Sequence, residues 1–450
     1  MLDLPTKAMP FLKHYEALRP LFATNVPGWF EEAREAARSR FERVGLPTTK
    51  DEEFRFTPLR VLAETEYEPA YGSTVTRDEL KRTRLGKLDA ITLTFVNGEY
   101  APELSSQQTL PEGVFVGTLQ EASEQCPGVL AKHLAKIATL ENRLGSTNDE
   151  RFTDLNTAFL GEGALVYVPE GVELEASVHL VFASRADHGR FVAYPRVLIA
   201  LENRTRAKVV ESYAGLSGEY FTNAVTEVYV GAEANLEHIR LQDETGESVH
   251  IGGLYVYQRE DSVYTSSNLQ LGALIGRCDL SVFADGEHIE TWLNGVYVGL
   301  GEQLLDNHTR IDHAKPNCNS FEVYKGILGG RAQGVFNGKI FVYEDAQKTD
   351  AKQTNQAILL SPTAGVNTKP QLEIFADDVK CTHGATVGQL REDALFYLRA
   401  RGIPFAEARA LLVYAFAAEV LEQITIDPVR EALEKALFDK LSQTEVLPEG

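Results

Sequence analysis

Cysteine is scarce in this chain. Four residues in 450, Cys126, Cys278, Cys318 and Cys381, lie far apart with no CxxC spacing, which supports neither a zinc ribbon nor a disulfide framework and reads as free thiols of a reducing compartment. Positive charge is also short. With 44 Lys and Arg against 65 Asp and Glu, the formal net charge is -21, and phosphate-rich partners, which need clustered cations, are set aside. No run reaches the roughly 18 apolar residues of a membrane span. The opening MLDLPTKAMPFLKHYEAL lacks the basic stretch and apolar run of a secretory signal, so a cytoplasmic protein is expected. The glycosylation sequons at Asn203 and Asn307 then carry no meaning.

The common catalytic motifs are missing too. GILGGRAQG, residues 326–334, has glycines but no following Lys-Ser or Lys-Thr, so no ATP hydrolysis by the chain itself is expected. HExxH and GxSxG do not occur, and no GxGxxG opens a helix after a strand. The expectation is a chain that is not an enzyme.

What is present is enough apolar sequence, 44%, for large cores without staples. Residues 27–44 space Phe30, Ala33, Ala37, Phe41 and Val44 at three and four, the period of an amphipathic helix. Residues 1–150 read as a mixed, mostly helical N-terminal domain. Over 151–390 the helical period vanishes, and runs such as ALVYVPEGVELEASVHLVF and GVFNGKIFVYEDAQ alternate apolar with polar residues between turns of Gly, Pro, Asn and Glu. The turns recur every 25–30 residues or so, a solenoid spacing. This predicts a mainly β fold with a β-helix core, a two-sheet sandwich being the competing arrangement. Residues 391–450 return to helix. There Leu411, Leu412, Ala415, Phe416, Glu419 and Val420 form one stripe, and Asp427-Pro428 starts a further helix through Leu441. That pair either packs on the end of the β-domain or offers its stripe to a partner.

Several clusters are candidate sites. The carboxylate pairs Glu344-Asp345 and Asp377-Asp378 suggest polysaccharide chemistry of the kind β-helix enzymes perform, but neighbours on a strand point to opposite faces and cannot converge on one bond. His308, His313 and Cys318 stand at five-residue steps and would share a metal only across a turn at Lys315-Pro316-Asn317. Cys381 and His383, in DDVKCTHGATVGQL, sit two apart on one strand face; two ligands are too few for a tight site, unless a second chain at a strand edge supplies the rest.

The run from DNHTRIDHAKPNCNS through SPTAGVNTKPQLEIFADDVKCTHGATVGQLREDALFYLRARGI resembles the C-terminal core of the SufB/SufD family of iron-sulfur cluster assembly proteins. Upstream, GLPTTKDEEFRFTPL, with Phe54 where the family usually has Trp, and FVNGEYAPELS extend the match over most of the chain. Gly384 after His383 is similar to the SufD branch. Ala364 falls where the SufB branch has an essential cysteine, so a SufB-type scaffold is the less favoured alternative.

The resemblance implies a right-handed parallel β-helix between helical terminal domains. It also implies SufB as partner through the late strands, with a homodimer possible when the chain is alone. The ATPase SufC would dock on Leu411, Leu412, Ala415 and Phe416. His383 and Cys381 would be iron or nascent-cluster ligands shared with SufB, the cluster being transient and none tightly bound by the chain alone. The expected role is a non-catalytic scaffold subunit.

Overall fold

A computed structural model describes residues 9–18, 28–69, 74–106, 108–139 and 150–442. Helices α1 (Met9–Leu12), α2 (Tyr15–Leu18), α3 (Gly28–Val44), α4 (Arg60–Glu64), α5 (Arg77–Leu80), α6 (Leu119–Gln125), α7 (Pro127–His133) and α8 (Arg151–Ala158) belong to the N-terminal part. The 27–44 period is realised in α3, which buries Phe30, Ala37 and Phe41. Val44, counted in that stripe, is exposed, while Arg34 is buried and donates from Nε to the Leu160 carbonyl at 2.6 Å.

From Gly163 to Gly388 the described chain is strand and turn, wound into a parallel β-solenoid of about 8 turns. One sheet runs β4 (Phe115–Thr118), β5 (Gly163–Val168), β8 (Arg196–Leu201), β10 (Tyr220–Val230), β12 (Val249–Gln258), β14 (Ile275–Ala284), β16 (Leu304–His313), β18 (Gln333–Val342), β20 (Gly365–Ile374), with β1 (Glu68–Pro69) and β7 (Phe191–Ala193) at its side. The other runs β3 (Glu99–Tyr100), β2 (Ile91–Val96), β6 (Val178–Arg185), β9 (Arg206–Ser217), β11 (Asn235–Asp243), β13 (Val263–Gln270), β15 (Glu290–Gly299), β17 (Asn319–Leu328), β19 (Asp350–Leu359), β21 (Lys380–Gly388). Ile275 pairs with Leu304, Leu304 with Gln333 and Gln333 with Gly365, all parallel. A meandering sandwich would pair neighbours antiparallel, as only β2/β3 and β4/β5 do among the described residues. The β-helix expectation therefore holds and the sandwich does not.

The interior carries an aliphatic and aromatic core, including Val209, Leu236, Leu280, Leu293 and Phe336, and it also holds charge. Glu211 accepts from Tyr213 Oη at 2.8 Å and meets His238 Nε2 at 2.8 Å; Arg240 Nη1 reaches Cys278 Sγ at 3.1 Å. All five residues are buried, and each polar atom paired in this way is spared the cost of an unsatisfied group. Two tyrosines fit because glycines face them: a Cβ on Gly326 would lie 2.4 Å from the Tyr297 ring, and one on Gly295 2.2 Å from that of Tyr324.

The N-terminal part is locked to the first sheet around a buried pair of β8 and β10, Arg196 Nη2 to Glu227 Oε1 at 2.5 Å, with Arg196 Nη1 donating to Asn156 Oδ1 and Thr157 Oγ1 of α8 at 2.9 and 3.1 Å. Glu227 also accepts the backbone N–H groups of Ala135, Lys136, Ile137 and Ala138 at 2.8–3.1 Å. Ala135 adopts φ 59° to wrap that turn around the carboxylate.

Three helices follow the solenoid, α9 (Glu392–Ala400), α10 (Phe405–Leu421) and α11 (Asp427–Ser442). Here the structure corrects the sequence reading twice. The helices do not close the end of the solenoid; Val413, Ala417, Val420, Leu433 and Leu437 pack along its flank, on Val210, Ile239, Leu241, Val296 and Ile327 of the second sheet's outer face. The stripe also has another phase. α10 buries Ala408, Val413, Ala417, Val420 and Leu421, while Leu411 and Ala415 are exposed and Leu412 and Phe416 are half-buried. FAEARALLVYAFAAEVL is apolar on nearly every side, so its period leaves the buried face undetermined.

Candidate functional site

With the helices on the flank, nothing among the described residues covers the last coil. β18 and β17 are almost wholly buried, whereas β20 is at best half-buried and β21 is exposed at nearly every position. Ile374, Phe375 and Val387 leave 40%, 53% and 45% of their surface open. A sheet edge of this kind presents unpaired backbone donors and acceptors, the template for another strand.

Cys381 and His383 lie on this coil and on one face. Cys381 pairs with Ala351 and His383 with Gln353, and both partners are buried, so the two residues continue rows that line the solenoid interior. At Cys381 the row meets an apolar patch of Ile340, Val342, Ala346 and Ala376. Half-burial there pushes the thiol up, the Ala351 backbone opposing it. His383 is exposed. Beneath it, Gln353 Nε2 donates to Glu322 Oε2 at 2.7 Å. Burial raises the Glu322 carboxyl to about 7, against the donors Thr309 and Gln353. A Cβ on Gly384 would meet nothing within 4 Å. Ala364 is buried at the turn into β20, within the interior core.

The other candidates come apart. His308 faces outward from β16, between Glu53 Oε2 (3.2 Å) and Asp306 Oδ1 (3.1 Å). His313 Nε2 pairs with Ser320 Oγ at 2.9 Å, and burial lowers its pKa to about 4. Cys318 Sγ donates to the Gly286 carbonyl at 3.1 Å. The turn at 315–317 does form, with Asn317 at φ 63°, but among the described residues no three His, Cys, Asp or Glu side chains are grouped to hold a metal. Glu344-Asp345 and Asp377-Asp378 occupy exposed turns rather than strands. All four cysteines are free thiols.

The sequence places α9 within the helical 391–450 region without singling it out. The helix buries no residue and exposes Phe396 (74%) and Tyr397 (57%) directly after β21. The dipeptide Phe-Tyr on a short helix bounded by Arg391 and Arg401 was the available signal.

Fold and site together define a parallel β-solenoid protein, flanked by helices on its sides and uncapped at the coil that carries a thiol and an imidazole. Residues 182–416 match the family model described as SUF system FeS cluster assembly, SufBD core domain, and residues 6–180 that of the SufBD protein N-terminal region. Among curated relatives, an iron-sulfur cluster assembly SufBD family protein of Synechocystis is 34% identical over 90% of this chain and 89% of its own. The iron-sulfur cluster assembly protein SufD of Escherichia coli is 32% identical over 86% and 88%. The chloroplastic protein ABCI7 of Arabidopsis thaliana is 32% identical over 86% and 80%. The chain belongs to the SufBD family of iron-sulfur cluster assembly proteins and is a SufD homologue. No described helix is long and apolar enough to cross a membrane.

Proposed function

We propose that this chain is a non-catalytic scaffold subunit of a cytoplasmic iron-sulfur assembly complex, pairing with a SufB-type chain along β20 and β21. The observation that carries the reading is the uncapped last coil with Cys381 and His383 on one interior-facing row. A thiolate and an imidazole suit iron and its sulfide clusters, and here the cluster is cargo under construction. Two ligands on one strand leave a site half-built, so the partner strand would furnish the remainder. A site divided between chains can also open when they separate.

Leu411, Leu412, Ala415 and Phe416, with Phe396 and Tyr397 of α9, form the surface on which the SufC ATPase would dock. ATP-driven closure of that partner would reach the last coil through α9, which follows β21 after a short link. Ala364, without a thiol, supports a chain that does not accept sulfur by itself.

The test is anaerobic reconstitution of the complex with its SufB-type and SufC-type partners, comparing wild type with His383→Ala. Loss of bound iron and sulfide from an intact complex is expected. Full cluster content in the variant would remove His383 from the site and leave β21 a packing strand.

A further inference from the structure

Residues 48–57, the TTKDEEF segment and its continuation, form a strap over the outer face of the first sheet. Phe54 is buried beneath the Arg277 guanidinium, 3.9 Å from its ring centre, and Arg277 Nη1 donates to the Glu53 carbonyl at 2.6 Å. Thr57 Oγ1 donates to Asp306 Oδ2 at 2.5 Å. The Glu53 carboxylate meets Lys339 Nζ at 2.5 Å and His308 Nδ1 at 3.2 Å, and Glu52 meets Lys369 Nζ at 2.5 Å. Arg277, Asp306, Lys339 and Lys369 stand on β14, β16, β18 and β20. One short segment of the N-terminal region therefore grips four successive coils and ends on the edge strand.

Between strap and sheet lies a cleft of about 610 Å³. Its apolar surface comes from Val335 and from Phe56, which is 43% exposed. Asn337 is 5% exposed and lines the cleft with Oδ1 unpartnered. Lys50 and Arg55 stand at its rim, and neither has a carboxylate within ion-pair distance among the described residues. The Arg55 guanidinium lies over the Phe56 ring, 5.7 Å from its centre, so the two cations and the aromatic surface stand together at the mouth.

We propose that this cleft receives an acidic, extended segment of the family-related chain that adds its strands to β20. The proposal rests on the open-edge reading above and deepens it. The cleft borders β20 through Asn367, Thr368 and Lys369, so a chain that continues the sheet passes its mouth. Carboxylates on that chain answer Lys50 and Arg55, an extended backbone offers the N–H that Asn337 Oδ1 lacks, and an apolar side chain covers Phe56. A free inorganic anion would satisfy the cations alone.

The experiment titrates the full chain with the SufB-type partner at low and high salt, for wild type and for Lys50→Glu/Arg55→Glu, and follows backbone hydrogen exchange over 49–56. Expected are about tenfold or greater weakening by the double reversal, a shallower salt dependence, and slowed exchange of 49–56 in the wild-type complex. Unchanged affinity and salt dependence, or exchange equally fast free and bound, overturns the cleft assignment while leaving the edge pairing intact. A wild-type chain that binds no such partner overturns both. Protection of 49–56 that grows with the concentration of this chain alone assigns the cleft to a second copy and overturns the proposal.

Discussion

The two ends of the solenoid are built from the same coil and finished in opposite ways. At the first end, β5 is paired with the antiparallel β4, and β5 and β8 are roofed on their outer face by α6 to α8, around Arg196 and Glu227, both fully buried. At the last end, β20 and β21 keep the register of the stack but have no roof among the described residues, and their inward rows emerge into solvent. The coil repeat therefore supplies position without demanding burial. A row that means core in the middle of the stack is open surface at its end.

The contrast can be broken most severely at the roofed end. Glu227→Ala leaves the Arg196 guanidinium buried without a carboxylate, held only by Asn156 and Thr157, and strips the acceptor from four backbone N–H groups. A loss of about 3–5 kcal/mol is expected, read from urea unfolding followed by circular dichroism. A matched pair of glycine changes sharpens the comparison. Gly326→Ala forces a Cβ against Tyr297 in a closed coil, with an expected cost of about 1–3 kcal/mol. Gly384→Ala on the open coil meets nothing and is expected to stay within about 0.5 kcal/mol. Equal costs at the two sites would mean that the last coil is covered.

The smallest effect is a pH dependence at the strap. Burial and Arg277 depress the His308 pKa, but Asp306 and Glu53 outweigh them and the net shift is upward; Asp279, Asn337 and Lys339 complete its surroundings. Folded above unfolded means that the stabilisation is full below the unfolded value of about 6.5 and is lost as pH rises through the folded one. Unfolding free energies of wild type minus His308→Gln should therefore shrink from pH 6 to pH 9. A difference independent of pH would show that the imidazole does not titrate against Glu53 and Asp306.

The solenoid was legible because turns at a fixed spacing and alternating runs are both one-dimensional signals. Which face of a strand points inward was not. In β11, NLEHIRLQD, alternation invites Ile239 and Leu241 to the core and sends His238 and Arg240 to solvent. The structure does the reverse, with Ile239 and Leu241 under the C-terminal helices and His238 and Arg240 inside, paired to Glu211 and Cys278. Both faces of this strand are covered, so composition cannot rank them. Cys381 and His383 were legible as a same-face pair since that follows from the period of two. Their exposure was not, because it depends on where α10 and α11 come to rest. The strap escaped notice as a structural element, since Glu52, Glu53 and Lys50 look like solvated charge until the strands bearing Lys339, His308 and Lys369 are stacked beneath them.

One feature of β20 bears on how the proposed assembly would count its members. A bare solenoid end is a template without a stopping rule, and identical ends that accept identical strands propagate into fibres. β20 carries Pro370, which removes a donor from the ladder beside Gly338, and the outermost strand opens with Lys380 and offers Cys381 and His383 where a self-templating row would want aliphatic side chains. Under the proposed pairing, addition at this end would be selective by composition. It would favour a mate whose own terminal row is complementary and not merely similar, and a stack closed by such a mate would have no third position to fill.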